Sequence, residues 1–147
     1  ALQDKVKDAK GRALPLAVSG AFHSPLMAEA ASEMAKAIEG VSKSAWSKAR
    51  FPVYCNAEPK AETDPSVIKA RLIRQMTASV YWIDTITAQW NDGCRTFVEC
   101  GPKSVLTKMV GPILQDHAPA ASAGTAEAPA WRTISIGNLQ QLQETMF

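Results

Sequence analysis

Repeatedly along this sequence a short apolar run breaks at Gly, Pro or a polar residue and gives way to a helical pattern, and this switching limits the fold more than any other feature. Two of the helix starts are written the same way. Ser24-Pro25 and Asp64-Pro65 each set a side-chain oxygen that can accept a helix's first free N–H groups beside a proline. Proline suits the first helical position because its missing N–H would be unpaired there anyway. Strands separated by helices, with turns rich in Gly and Pro, imply an α/β layer fold with a mostly parallel sheet.

Residues 1–12 are polar and helix-compatible, and Gly11 ends them before the apolar, strand-like run 13–19. After Ser24-Pro25, the residues Leu26, Ala30, Met34, Ala37, Ile38 and Val41 recur at three- and four-residue intervals and predict a helix with one apolar face, stopping near Gly40. Phe51 to Asn56 reads as a buried strand that breaks at Ala57-Glu58-Pro59. A helix from Asp64-Pro65 would turn Val67, Ile68, Leu72, Gln75 and Met76 to one side. A second, from Trp82 to Trp90, would turn Ile83, Ile86 and Trp90 inward until Asp92-Gly93 stops it. Thr96 to Cys100 is the next strand, and Gly101-Pro102 leads into a helical pattern from Val105 to Ile113. Residues 118–130, with seven alanines and two prolines, can bury little and read as a flexible loop. Beyond it come a strand over 132–136 and a final helix carrying Leu139, Leu142 and Met146, with Asn138 and Gln141 as its capping pair.

Composition narrows the function classes. With 46% hydrophobic and 20% charged residues the chain is that of an ordinary globular protein, of a length that suits one domain. Its net charge of +2 arises from 16 basic and 14 acidic residues scattered without a basic stripe, which argues against nucleic acid as partner. No apolar run reaches the roughly 18 residues of a membrane span, and the first residues lack a signal peptide's apolar core, so a cytoplasmic protein is expected. Cys55, Cys94 and Cys100, odd in number and without CxxC spacing, suit reduced thiols better than disulfides or a metal site.

Two histidines are available for chemistry. His117 lies among polar neighbours and reads as solvated. His23 sits in a strand-to-helix loop, where α/β folds keep their functional groups. There it either packs and bonds at the turn or serves as a base for a hydroxyl or thiol. No GxSxG elbow supplies a nucleophile, and HExxH, GxGxxG and GxxxxGK[ST] are absent. Cys100, at a strand end, reads as a buried structural thiol, and Cys55 and Cys94 are weaker candidates still.

The run from Arg12 to Met27, containing Gly20-Ala21-Phe22-His23-Ser24-Pro25, resembles the histidine segment of malonyl-CoA:acyl carrier protein transacylases and polyketide synthase acyltransferase domains. Phe51 to Asn56, Leu72 to Met76 with Val80-Tyr81-Trp82, and Phe97 to Pro102 with Val105-Leu106 resemble further family segments in the family's order. In that family a serine in a GHSxG elbow takes malonyl from coenzyme A and passes it to the phosphopantetheine thiol of acyl carrier protein. The resemblance implies that His23 is the catalytic base and acid, and that the backbone carbonyl of Gln75 orients its ring in place of an aspartate. A neutral carbonyl orients the ring but brings no full negative charge to stabilise an imidazolium. Phe22 resembles the residue of malonyl-selective domains, where methylmalonyl-selective ones tend to carry Ser, and would line the substrate pocket. Lys103-Ser104 departs from the Gly-Lys common after the family's Gly-Pro, which leaves a role for that loop in doubt.

By the same resemblance residues 1–18 would be the end of a small ferredoxin-like lobe, and 19–117 the histidine half of an α/β-hydrolase-like acyltransferase core. Residues 131–147 would be a strand and helix returning to that core. No cofactor or metal is implied, since the coenzyme A thioester is a substrate. The GHSxG serine, the arginine that pairs with the malonyl carboxylate and most of the small lobe have no counterpart in this sequence. The chain is therefore expected to be the C-terminal portion of a larger enzyme, partnered by the missing N-terminal part and acting on malonyl-CoA and acyl carrier protein in fatty acid biosynthesis. Alone it should be inactive. A polyketide synthase acyltransferase fragment and a non-catalytic carrier-binding fragment are the alternatives.

Overall fold

The capping residues do what their chemistry dictates. In this computed structural model, which describes residues 2–14, 20–118 and 130–146, Ser24 caps a 3-10 turn over Pro25–Met27, its Oγ accepting the Leu26 N–H at 3.3 Å. The turn runs straight into helix α2, Ala28–Gly40. Asp64 caps α3, Pro65–Arg74, with Oδ1 accepting the N–H groups of Ser66 and Val67 at 2.7 and 3.3 Å. Helix α4 spans Trp82–Asn91, and Gly93 leaves it at φ +97°. The first helix, α1, Leu2–Asp8, ends differently from expectation: Lys10, not Gly11, takes the left-handed conformation, at φ +57°. Gly11 is required for another reason. Its N–H reaches back to the Val6 carbonyl at 2.8 Å, and a Cβ there would lie 2.9 Å from Val6 Cγ1.

The mostly parallel sheet is found only in part. Strands β1, Val53–Cys55, and β2, Glu58–Glu62, form an antiparallel hairpin, while β3, Thr96–Cys100, pairs in parallel with β4, Arg132–Ile136. Glu58-Pro59-Lys60-Ala61-Glu62 reads as a break because it is charged and holds a proline, yet in a two-stranded hairpin every strand is an edge, where proline is tolerated. Its order comes from α3. Arg71, 5% exposed, donates to the Lys60 carbonyl and the Glu58 carboxylate at 2.8 and 2.7 Å and lies 3.7 Å from Glu62. Arg74 adds a bond to the Ala57 carbonyl at 2.9 Å. Both carboxylate partners lie on β2, well before Arg71 in sequence, so nothing local to the strand discloses them. Glu62 also accepts the N–H groups of Asp64 and Thr63, which hold its carboxyl below the usual carboxylate range.

The central core lies between α4, β3 and α5, Thr107–His117. Ile86, Trp90, Phe97, Val110, Ile113 and Leu114 are buried there, with Trp82, Ala118 and Trp131 packed against them. Arg95 stacks its guanidinium 3.6 Å from the Trp90 ring and donates to the Trp90 carbonyl, closing one end. Tyr54 of β1 donates to Asp92 at the end of α4, and partial burial together with that bond pushes its hydroxyl up to about 12. Several positions expected inward are not: Val67 and Ile83 are 38% and 46% exposed, and the expected apolar face of α2 contains no buried residue. Helix α5 starts at Thr107, two residues after Val105, because Lys103 and Ser104 adopt positive φ and Glu99 takes the N–H groups of Val105 and Thr107 at 3.1 and 2.8 Å. The last helix, α6, Leu139–Met146, begins as read, with Asn138 Oδ1 accepting the Gln141 N–H at 2.9 Å. Most of the strand read over 13–19 and of the loop read over 118–130 lies outside the described residues. No helix among the described residues is long and apolar enough to cross a membrane.

Two predictions arise from these contacts. Arg71→Ala should lower unfolding stability by about 2 kcal/mol in urea titrations, short of the roughly 3–5 kcal/mol of a fully buried pair, because the Glu58 side chain keeps 39% of its surface in water. Glu99 is held below the usual carboxylate range chiefly by the Thr107 backbone N–H. Its contribution is therefore complete above the ordinary glutamate pKa and is lost as pH falls through the depressed folded value. Glu99→Gln should accordingly be less stable than the parent at neutral pH, with the difference in urea midpoint shrinking on acidification.

Candidate active site

His23 stands at φ +60° in the turn before the Ser24 cap, a left-handed conformation that is uncommon for a residue with a side chain. Such backbone costs on the order of 1–3 kcal/mol and persists only where its surroundings impose it. Here Ser24 Oγ donates to the Ala21 carbonyl at 2.7 Å while accepting from Leu26, so one hydroxyl closes the turn and caps the helix after it. His23 is thereby presented at the surface, exposed.

Fifty-two positions along the chain, the main chain of α3 ends at Gln75, whose N–H bonds to the Arg71 carbonyl at 3.1 Å. The last carbonyls of a helix have no partner within it. The Gln75 carbonyl is met by His23 Nδ1 at 3.0 Å. With a carbonyl as neighbour Nδ1 must carry the proton, and Nε2 of the neutral ring keeps its lone pair. The Gln75 side chain turns elsewhere: its Oε1 lies 3.4 Å from Asn56 Nδ2, and the Asn56 carbonyl accepts the Tyr81 N–H at 2.9 Å. Asn56 thus ties the hairpin turn to both ends of the segment between α3 and α4. The sequence marks Asn56 only as the end of the strand read from Phe51, with nothing to show that it braces Gln75. A polar residue ending an apolar run was the one local signal for it.

Phe22, beside His23, is 52% exposed and is no part of the core, with its ring 3.5 Å from where a Cβ on Gly20 would lie. His117 ends α5 exposed. The cysteine reading needs correction: Cys100 is exposed, and the buried thiol is Cys55. Cys100 is the last residue of β3, which has no strand along its other edge among the described residues. Cys55 faces α3, where burial pushes its thiol up while the Arg71 charge opposes this, so it is a poor nucleophile. Among the described residues no group of three or more His, Cys, Asp or Glu could hold a metal ion.

The site therefore offers one oriented imidazole with a free ring nitrogen, open to solvent, and no hydroxyl or activated thiol bonded to it among the contacts described. It can exchange a proton with a nucleophile brought to it.

No family model matches the chain. It is 35% identical over 105 residues to the malonyl CoA-acyl carrier protein transacylase of Staphylococcus aureus (strain COL), covering 71% of this chain and 33% of that one. To the Synechocystis enzyme of the same name it is 38% identical over 96 residues, covering 65% of this chain and 32% of the other. The crystal structure of the Synechocystis sp. PCC 6803 malonyl-CoA:ACP transacylase superposes with a TM-score of 0.70 at 31% identity, over 90% of this chain and 40% of that chain. A malonyl-transacylase in complex with its type II PKS acyl-carrier protein superposes with a TM-score of 0.75 at 29% identity, over 96% and 40%. The chain thus spans about a third of the length of the curated relatives it matches. Over those matched residues, in sequence and in mixed α/β fold alike, the chain belongs to the malonyl CoA-acyl carrier protein transacylases.

Proposed function

We propose that this chain supplies the histidine of a malonyl-CoA:acyl carrier protein transacylase of fatty acid biosynthesis. The observation that carries the proposal is the 3.0 Å contact between His23 Nδ1 and the Gln75 carbonyl, which fixes one ring nitrogen as donor and leaves the other to exchange protons. In the first half-reaction a serine hydroxyl attacks the malonyl thioester of coenzyme A. His23 Nε2 takes the hydroxyl proton and returns it to the departing thiolate, leaving malonyl on the serine. In the second, the phosphopantetheine thiol of the carrier gives its proton to His23 as its sulfur attacks the ester, and the serine oxygen recovers a proton as it leaves. The ring is a base and then an acid in each half, and a neutral orienting carbonyl stabilises the imidazolium less than a carboxylate would, which favours its return of the proton.

The serine has to come from residues outside this sequence, which contains no GHSxG. On this reading the described elements belong to an α/β-hydrolase-like acyltransferase core. Residues 1–18, of which only 2–14 are described, would close a ferredoxin-like lobe, and Phe22 would crowd the α-carbon of the acyl group. A polyketide route is the second reading, favoured by the likeness to a malonyl-transacylase solved with a type II PKS carrier. Transfer rates to fatty acid and polyketide carrier proteins separate the two.

Incubated alone with labelled malonyl-CoA, the chain should form no stable covalent adduct. Co-expressed with the part of the Synechocystis transacylase lying outside the matched stretch, it should transfer malonyl to carrier protein, and His23→Ala should slow that transfer by about 100-fold or more. Rescue that survives His23→Ala would refute the proposed role. In the same assay Phe22→Ser should narrow the preference for malonyl over methylmalonyl by roughly 10- to 200-fold, the range one methyl group commands in a pocket.

A further inference from the structure

Every polar side chain that lines one cavity of this chain is a hydrogen-bond donor. The cavity, of about 340 Å³, opens between the 3-10 turn Lys43–Ala45 with Trp46 after it and the first turns of α3. Lys43, Trp46, Pro65, Ser66 and Lys69 line it, and no carboxylate is among them. Local bonds set both walls. The Trp46 N–H donates to the Lys43 carbonyl at 3.2 Å and closes the turn, while the Ala49 N–H donates to the Thr63 carbonyl at 2.9 Å and ties the stretch after the turn to the residues leading into α3. Ser66 and Lys69 are three apart on α3, the spacing that puts two side chains on one side of a helix.

These donors lack acceptors among the described residues. The Trp46 Nε1–H is buried without a partner, a condition folded chains ordinarily avoid. Neither Lys43 nor Lys69 forms an ion pair there, and the Ser66 hydroxyl makes no hydrogen bond. Lys69 instead sets its Nζ over the Trp46 ring, 5.9 Å from the centroid, which holds one cation at the cavity wall. Asp64, the carboxylate next to the lining in sequence, is already engaged: its Oδ1 accepts the N–H groups of Ser66 and Val67. The first main-chain donors of α3 are therefore taken, and what remains open is a set of side chains. The cavity is separate from the histidine turn. Lys69 precedes Gln75 by about 9 Å of helix axis, and His23 meets the Gln75 end.

We propose that this cavity binds a phosphate monoester, held by the ammonium groups of Lys43 and Lys69, the Ser66 hydroxyl and the Trp46 Nε1–H. Two ammonium groups balance the charge of a phosphate close to its dianionic form, whereas a carboxylate would balance one, and the phosphate's three terminal oxygens can accept from all four donors. The volume lies within the roughly 300–1,000 Å³ of small-molecule sites and exceeds what the bare ion needs. Pro65 and the Trp46 ring supply an apolar wall for the organic part. The site stands apart from the transacylase reading and can fail without it.

Phenyl phosphate, inorganic phosphate and benzoate are the probes, titrated into the full chain at constant ionic strength while the indole N–H resonances of its four tryptophans are followed by NMR. Trp46→Phe identifies the Trp46 resonance, which should move most on addition of phenyl phosphate. That probe should bind about tenfold more tightly than either of the others. Lys43→Gln and Lys69→Gln should each weaken it about tenfold or more, the range of a charge-assisted hydrogen bond, with the indole resonances of the unliganded chain unchanged. Lys69→Arg should retain most of the affinity. Trp46→Phe, which keeps a ring and loses the N–H, should weaken binding roughly fivefold, and His23→Ala should bind as the parent does. A Trp46 resonance that stays in place, equal affinity for the three probes, lysine variants that bind like the parent, or loss of binding in His23→Ala would each overturn the proposal.

Discussion

One buried guanidinium holds the histidine side of this fold together. Arg71 gathers the Lys60 carbonyl and the carboxylates of Glu58 and Glu62 onto the flank of α3, and it is the only cation among the described residues with less than 9% of its surface exposed. A charge that far from water is tolerable only when it is paired and hydrogen-bonded. The hairpin therefore has one position in which it can sit against the helix. The Arg71 carbonyl accepts the Gln75 N–H in the last turn of α3, which sets Gln75 and its carbonyl one helical turn beyond the anchored residue. His23 meets that carbonyl. The chain of dependence thus runs from an ion pair in the hairpin, through one helical turn, to the orientation of an imidazole.

A second carboxylate plays a comparable part on the other side of the molecule. Leu106 offers α5 no side-chain cap, so Glu99 reaches from β3 to take the Thr107 N–H and hydroxyl at 2.8 and 2.9 Å. The Thr107 hydroxyl lies 2.9 Å from Ser135 Oγ on β4, so strand, helix and neighbouring strand share one polar node. Such a node is dependable only when every member is satisfied, and the loop leading to it runs through Lys103 and Ser104. The positive φ angles of those two residues bend the loop so that Glu99 can act as a remote cap.

How much of this the sequence disclosed depended on the range of the interaction responsible. Ser24, Asp64, Asn138 and the Gly93 stop were readable because capping and turn chemistry act over three or four residues. The Gln75 carbonyl was reachable only through resemblance, since a main-chain group carries no sequence signature. Strand β2 was not readable at all, because its order is imposed by Arg71 from a helix that follows it. Cys100 is exposed against expectation for a similar reason: which face of a strand is covered is decided by neighbours far away in sequence.

The misplaced apolar residues point the same way. Leu26 is 84% exposed, Phe51 73%, Val105 55% and Val98 49%. Isolated exposed apolar residues are ordinary on any surface. These four are not randomly placed, however, since each sits in a segment that resembles the transacylases: the histidine turn, the run before β1, β3, and the loop after it. Periodicity reports what a segment would bury when fully packed, whereas exposure reports what the described residues bury among themselves. The two disagree in segments that also hold an imidazole with no hydroxyl bonded to it and a strand with one edge unpaired among the described residues, and the proposed assignment offers one cause for all of it. On the function proposed above, these residues encode contacts with a larger fold, since the chain spans about a third of the length of the curated relatives it matches.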